Sequence, residues 1–265
     1  MTAISASLVK ELRDETGAGM MDCKRALEET NGDLEAAKRL LREQGMAQAG
    51  KRAGRETTEG LVGHRIDSEH GTMVAVGCET EPVSKNDEFQ AFAQKVLEVV
   101  DAEGVEAAQR LEDERVELVA KLGENISVVR AARFEAVDGG IVEGYAHAPA
   151  NKFGALVSLR GGSPETARML AMHVVASAPD WIAREDVPEE TVTAEREIYA
   201  GSDEVQSKPE QAREKIVEGM LGKRFFAAQV LTDQPWIHDT GRTVAQALQE
   251  EGVEPVEFVR YAVAE

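Results

Sequence analysis

Apolar positions in the first 45 residues recur at helical spacing and predict three short amphipathic helices. Leu8, Val9 and Leu12 form the first stripe, Ser5 or Ser7 can cap it, and Gly17-Ala18-Gly19 ends it. Met20, Cys23, Lys24 and Leu27 then fall at i, i+3, i+4 and i+7 of a second helix over Met20 to Glu29. Asn31-Gly32 reads as a turn, and Asp33 caps a third helix that turns Leu34, Ala37, Leu40 and Leu41 inward. A unit of this size, residues 1–45, has a marginal core and is suited to presenting a surface rather than enclosing a pocket. Residues 46–59 are small, polar and partly basic, and read as a linker that can stay helical at its start. Lys51, Arg52 and Arg55 are taken there as solvated charges, the alternative being contact with RNA or an acidic partner.

From residue 60 the pattern changes to short apolar strands and repeats itself. Gly60-Leu61-Val62 recurs as Gly140-Ile141-Val142, 80 positions later, and Gly71 to Val76 recurs as Gly154 to Leu159, 83 positions later. Each copy reads strand, turn, strand, helix. The first helix keeps Phe89, Phe92, Ala93, Val96, Leu97 and Val100 on one face, and the second starts at Ser163-Pro164-Glu165. Each copy closes on a further strand, Val128 to Ala132 and Phe258 to Ala262. The expected fold is therefore α+β, with two related halves over 60–139 and 140–265, each a small antiparallel sheet covered by helices.

The second half carries an insertion at about 187–225. Glu189 to Ala200 and Pro209 to Phe225 are helical in pattern, with Thr191, Ala194 and Ile198 on one stripe and Ala212, Ile216 and Met220 on the other. Gly201-Ser202-Asp203 and Ser207-Lys208-Pro209 mark the reversal. The expectation is an antiparallel helical hairpin that projects from the sheet as an arm.

Composition narrows the function classes. The chain has 265 residues, of which 42% are hydrophobic, and it carries 49 acidic against 30 basic side chains for a net charge of −19. Such an acid excess argues against direct nucleic-acid binding, which needs clustered Lys and Arg. No apolar run is long enough to span a membrane. The opening stretch lacks the h-region of a secretory signal and the Arg-rich character of a transit peptide. With two scattered cysteines, Cys23 and Cys78, a reducing cytoplasmic setting is expected.

Enzyme signatures are missing: there is no GxSxG elbow, no HExxH and no phosphate loop. His64 to His70 contains ligand-type residues, but a polar hairpin turn accounts for them without a metal. Cys23 reads as a small core residue, and His173 as a packing histidine with a satisfied ring. The unusual segment is Cys78 to Phe89, an acidic, Pro-stiffened turn that leaves a strand and enters the Phe-rich helix at an Asn86/Asp87 cap. It suits a binding tip, and equally a plain strand-to-helix connection.

Thr16 to Leu27 (TGAGMMDCKRAL) closely resembles the N-terminal signature of the translation elongation factor Ts family, and Cys78 to Phe92 is similar to its second signature. Gly140 to His147 and Ala171 to Ser177 match as well, so the likeness runs from Ile4 to about Val263. The resemblance implies a guanine-nucleotide exchange factor for elongation factor Tu, bound in its GDP-loaded and nucleotide-free forms, with no cofactor, no metal and no bond-making chemistry. It also implies a ubiquitin-associated-like three-helix unit and a coiled-coil arm. By the same resemblance, Thr80, Glu81, Pro82 and Val83 approach the partner's magnesium and phosphate site. Arg13, Met20, Met21 and Lys24 grip its GTPase domain, and His147, Ile237 and His238 meet it from the second half. The family's usual loop reads Thr-Asp-Phe-Val; here Glu81-Pro82 stands in place of Asp-Phe, which keeps a carboxylate and removes the aromatic wedge. Many members also carry a C-terminal helical module beyond the core. A non-catalytic adaptor, using the helical unit and the arm to hold two partners, is the other class the residues allow.

Overall fold

The computed structural model describes residues 4–264. Met1 to Ala3 and Glu265, which belong to the first and last units expected from sequence, lie outside the described residues. Three helices open the chain where the caps place them: α1 (Ala6–Thr16), α2 (Met20–Glu29) and α3 (Leu34–Arg52). Ser5 caps α1 by accepting from Leu8 N, Asp33 caps α3 by accepting from Ala36 N at 2.9 Å, and Gly17 ends α1 at φ +65°. Val9, Leu12, Cys23, Ala26, Leu27 and Ala37 form their small core, while Met20 and Lys24 leave the stripe and face solvent. Helix α3 runs on to Arg52 because it has a second surface to pack on. Ala49 is buried in the next core, and Gly45 lies so close to Ala120 that a Cβ there would come within 2.9 Å.

Two three-stranded antiparallel sheets follow, so the protein is α+β. The first has β1 (Glu59–Ile66), β2 (His70–Cys78) and β3 (Ile126–Glu135), with β2 central. Between β2 and β3 come a short helix α4 (Glu81–Ser84), then α5 (Asp87–Glu103), a 3₁₀ segment and α6 (Glu112–Leu122). The second sheet has β4 (Ile141–Ala146), β5 (Phe153–Arg160) and a last strand, Glu254–Ala262, in the same order. The repeat read from sequence extends to fine detail. Register shifts by one residue at Ala75/Val76 in one sheet and at Ser158/Leu159 in the other, again 83 positions apart.

The continuous apolar runs of β2 and β5 have a reason: both strands are buried on both faces. Val74, Val76 and Cys78 point into a core under α5 and α6. Ala155, Val157 and Leu159 do the same under α7 (Pro164–Ser177). The opposite faces meet each other, with Val62, Met73, Ala75, Phe134, Val142, Leu156 and Tyr261 forming a third core between the sheets. Small residues set its spacing reciprocally. A Cβ on Gly71 would come within 2.4 Å of Val142, and one on Gly154 within 2.7 Å of Val62. Gly144 lies against the ring of His64, its own counterpart in the other half. Burial holds His64 below the ordinary histidine range.

The insertion forms α8 (Glu189–Gly201), one turn α9 (Asp203–Gln206) and α10 (Glu210–Met220), then a π-helical stretch Leu221–Phe226. A single turn, α11 (Ala227–Gln229), completes it. Arg196 Nε bridges α8 to α10 through Glu218 Oε1 at 2.8 Å. A separate small core gathers Val187, Val205, Val217, Met220, Leu221, Phe225 and Val230, with Val192 and Tyr199 packed on it. The stripe on α8 therefore differs from the one expected. Ile198 is 63% exposed and Ala194 is also outside, because the larger pair Val192 and Tyr199, seven residues apart, turns inward instead. After the insertion come a two-residue strand β6 (Pro235–Trp236), β7 (Asp239–Thr243) and α12 (Val244–Glu250), which lead into the last strand, β8.

Leu156→Ala removes a fully buried side chain from the layer between the sheets and should cost about 2–5 kcal/mol in urea unfolding. Ile198→Ala should shift the unfolding free energy by less than about 0.5 kcal/mol, the range of surface positions.

Candidate functional site

The acidic turn after β2 starts from a rigid base. Cys78 is fully buried, and its Sγ donates to the Thr80 carbonyl oxygen at 3.3 Å. Burial foremost, then the Glu124 carboxylate, pushes the Cys78 thiol up to about 12, so it is a protonated donor rather than a nucleophile. Glu124, in the turn between α6 and β3, clasps the chain here. Its Oε2 accepts from Glu79 N at 3.1 Å and Thr80 N at 2.9 Å, and its Oε1 from Thr80 Oγ1 at 2.6 Å. The Glu79 carboxylate returns the contact by accepting from Asn125 N at 2.7 Å, with Arg55 Nη1 3.4 Å away. Two adjacent acidic residues thus brace the loop instead of pointing out of it.

Above this base Thr80, Glu81 and Pro82 are exposed, whereas Val83 is half-buried on the α5 core. Pro82 lies in the first turn of α4, where its fixed φ suits a helix start and its missing N–H costs nothing. Ser84 Oγ donates to the Glu81 carbonyl at 2.7 Å, and Asn86 caps α5 by accepting from Glu88 N and Phe89 N. Lys85 Nζ lies 2.6 Å from Glu81 Oε1, and this hydrogen bond holds the Glu81 carboxyl below its ordinary range. Both groups are solvated, so the pair adds little stability. Beside the loop a cleft of about 360 Å³ separates α4 from Pro149, Ala150, Asn151 and Lys152 of the second half. That facing turn is tied to β1, since Val62 N donates to Asn151 O at 2.7 Å and Lys152 Nζ to Glu59 Oε1 at 2.7 Å. The acidic turn is thus held by the first half and faced across the cleft by the second.

A second surface lies on the other sheet. A groove of about 400 Å³ is lined by Tyr145, His147, Phe153, Met172, Ile237 and Arg260. His147 Nδ1 is 2.9 Å from the Tyr145 hydroxyl, and Phe153 and Ile237 leave 40% and 38% of their surface open. His238 stands outside the groove, its Nε2 3.0 Å from the Met169 carbonyl oxygen and its ring edge-on to Trp236. Beneath this turn His173 is fully buried, stacked on Trp236 at 5.2 Å and hydrogen-bonded to Gln234.

The third surface is the start of α2. Met20 and Met21 are 57% and 66% exposed, large apolar groups with little around them. Lys24, one turn on, is 3.7 Å from Glu28, and Arg13 is exposed on α1. Of the residues singled out from sequence, the structure gathers Thr80 to Val83 in one turn and His147 with Ile237 in one groove. It leaves the Met20–Met21 knob as a separate patch. Glu124 and Asn125 escaped the sequence reading, since nothing about Gly123-Glu124-Asn125 except its turn character marks it as the partner of a loop more than 40 residues earlier. In the His64–His70 stretch, the ring nitrogens of His70 face Asp101 Oδ1 at 3.0 Å and Asp67 Oδ2 at 3.1 Å. No group of side chains that could hold a metal occurs among the described residues.

Braced loop, apolar groove and methionine knob are the exposed features of a protein of α+β class. Residues 79–265 match the Elongation factor TS family. Across its full length the chain is 42% identical, over 271 aligned residues and 93% of the relative, to Elongation factor Ts of Escherichia coli strain K12 / DH10B. The same figures hold for Elongation factor Ts of Escherichia coli O157:H7 and of Shigella boydii serotype 18. The chain belongs to the elongation factor Ts family, a family of translation elongation factors.

Glu124→Ala should accelerate amide exchange at Glu79 and Thr80 by about tenfold or more, the equivalent of one hydrogen bond to a charged group, with exchange in the β2 interior unchanged. Iodoacetamide at pH 8 should leave Cys78 unmodified in the folded protein and label it once urea has unfolded the chain.

Proposed function

We propose that this protein is the guanine-nucleotide exchange factor of elongation factor Tu, binding the GDP-loaded form and holding the nucleotide-free form more tightly. The observation that carries this reading is the acidic turn Thr80–Val83, exposed at its tip and clasped at its base by Glu124. Exchange makes and breaks no covalent bond, so the protein is not an enzyme in that sense. By linkage, the factor by which it weakens GDP binding equals the factor by which GDP weakens its own binding. A ten-thousandfold coupling requires ~5.5 kcal/mol of differential contact.

Two surfaces supply the grip. Met20 and Met21, with Arg13 and Lys24 near them, hold the GTPase domain, and flexible thioethers adapt to an irregular contact. His147, Ile237 and His238 meet the partner from the second half. The turn from Thr80 to Val83 then disfavours the magnesium-bound geometry by displacing the partner's loops and setting Glu81 near the ion's ligands. Pro82 contributes stiffness and modest bulk where relatives carry an aromatic wedge, so backbone displacement dominates over side-chain insertion. The three-helix unit over residues 1–45 acts as a ubiquitin-associated-like module, 60–139 and 140–265 as the two core halves, and the arm at 187–225 as a coiled-coil hairpin. The factor binds neither nucleic acid nor membrane directly and works in the cytoplasm. No helix among the described residues is long and apolar enough to cross a membrane.

Release of labelled GDP from elongation factor Tu, followed with sub-stoichiometric amounts of this protein, tests the reading. Stimulated release with turnover is expected, and Pro82→Ala and Glu81→Ala should each slow it. Unchanged rates for both would remove the turn from the mechanism. Met20→Ala combined with Met21→Ala should instead weaken association by about tenfold, as for the loss of one interface anchor. Binding without any effect on release would favour the adaptor.

A further inference from the structure

The turn that displays Ile237 and His238 is fastened from below by one imidazole. His173, on α7, is fully buried, with its ring stacked on Trp236 at 5.2 Å and an interplanar angle of 28°. Its Nε2 is 2.9 Å from Gln234 Oε1, and its Nδ1 is 3.4 Å from Ile237 N. The surrounding network dictates which nitrogen carries the proton. The Gln234 amide nitrogen donates to the carbonyl oxygens of Ser177 at 3.1 Å and Ala228 at 2.6 Å, so Gln234 Oε1 must be the atom that faces His173. An oxygen there can only accept, which places the proton on Nε2 and leaves Nδ1 as an acceptor for the Ile237 N–H.

We propose that His173 is a positioning residue for the partner-facing turn: as a neutral Nε2–H imidazole it holds the Ile237 backbone amide, and protonation of Nδ1 releases that turn. An imidazolium has donors at both nitrogens, so its Nδ1–H would oppose the Ile237 N–H in a site closed to water. The groups that face the ring are Gln234, Trp236 and, beyond Trp236, His238, and charge on the His238 ring would oppose charge on His173. Burial acts in the same direction, and together they hold His173 below the ordinary histidine range. The neutral form is therefore the working form near neutral pH. This inference rests on the reading that Ile237 and His238 meet elongation factor Tu.

The test measures affinity for nucleotide-free elongation factor Tu between pH 7.5 and 5 for the unsubstituted protein, His173→Asn, His173→Gln and Ile237→Ala. An Asn side-chain oxygen takes the place of Nδ1 and keeps an acceptor for Ile237, whereas Gln reaches only as far as the Nε2 position. His173→Asn should bind within about twofold of the unsubstituted protein at pH 7.5. His173→Gln should bind about tenfold more weakly, the equivalent of one hydrogen bond. On acidification the unsubstituted protein should lose affinity relative to His173→Asn as the His173 ring protonates. Equal pH dependence for these two, or unweakened binding by His173→Gln, would overturn the inference. If Ile237→Ala binds normally, the docking reading itself fails and this inference with it. If Ile237→Ala weakens binding while the His173 variants do not, only the positioning role falls. A readout that needs no His173 substitution comes from Trp181→Phe protein, in which Trp236 is the sole tryptophan. There, Trp236 emission should be quenched as the stacked ring protonates, and the Ile237 amide resonance should shift over the same pH range. An Ile237 amide indifferent to that titration would also overturn the proposal.

Discussion

Four glycine-centred contacts between the two sheets set the spacing on which the rest of the molecule depends. Gly71 receives Val142 and Gly154 receives Val62, so the two halves bury the same pair of residue types in opposite senses. Gly144 accepts the ring of His64 at the place where equivalent positions meet, and a Cβ on Gly154 would also press on Met73. Any side chain at Gly71 or Gly154 would drive the sheets apart and open the layer that Met73, Leu156 and Tyr261 fill. A chain that repeats a half-sized unit has to cover the sheet face each half leaves bare. Closing the two faces on each other does so without a further layer of helices.

That closure also brings a turn of the second half to face the acidic turn across a cleft. β1 and the turn at Asn151 and Lys152 are joined by a backbone hydrogen bond and an ion pair, so the cleft beside Glu81 has one wall from each half. Packing takes two histidines out of water, His64 partly and His173 completely. His64 lies between the sheets and His173 beneath the Ile237 turn, both held below the ordinary range chiefly by burial. In the unfolded chain such rings take up a proton near pH 6.5. Between that pH and their lower folded values the unfolded state binds more protons, so stability is full above about pH 6.5 and falls as acid is added. The effect runs opposite to that of a histidine gaining an ionic partner.

Local chemistry was legible in the sequence wherever a single residue type has a strong local reason. Asp33, Asn86 and Ser163 cap the helices they were expected to cap, and Gly17 takes the left-handed conformation that ends α1. The repeat was legible because Gly60 and Gly140 start equivalent strands under the same compulsion: a Cβ at either would fall within about 2.2 Å of a neighbouring strand's carbonyl oxygen. What sequence could not supply was long-range pairing. The choice of Glu124 as clasp, the contact of sheet with sheet and the inward turn of Val192 and Tyr199 in place of Ile198 each depend on which surface comes to lie opposite. A helix stripe with several weak apolar residues, as in α8, does not fix its own rotation. Within the candidate site, the sequence reading picked out the exposed tip and missed what holds it still.

The distinction between tip and base decides how firmly the acidic turn is held. The Glu79 carboxylate accepts from Asn125, and the Thr80 hydroxyl donates to Glu124, so neither is free to reorganise around an ion on a partner. Glu81 is bound to Lys85 in a solvated pair that exchanges readily, and Pro82 has no backbone N–H to donate. Deforming the turn would require breaking several charge-assisted contacts at Glu124. On the proposed exchange reading, a turn held this firmly at its base would act by displacing a partner's loop rather than by burying a side chain of its own, and the methionine knob and the apolar groove would have to keep the two surfaces in register.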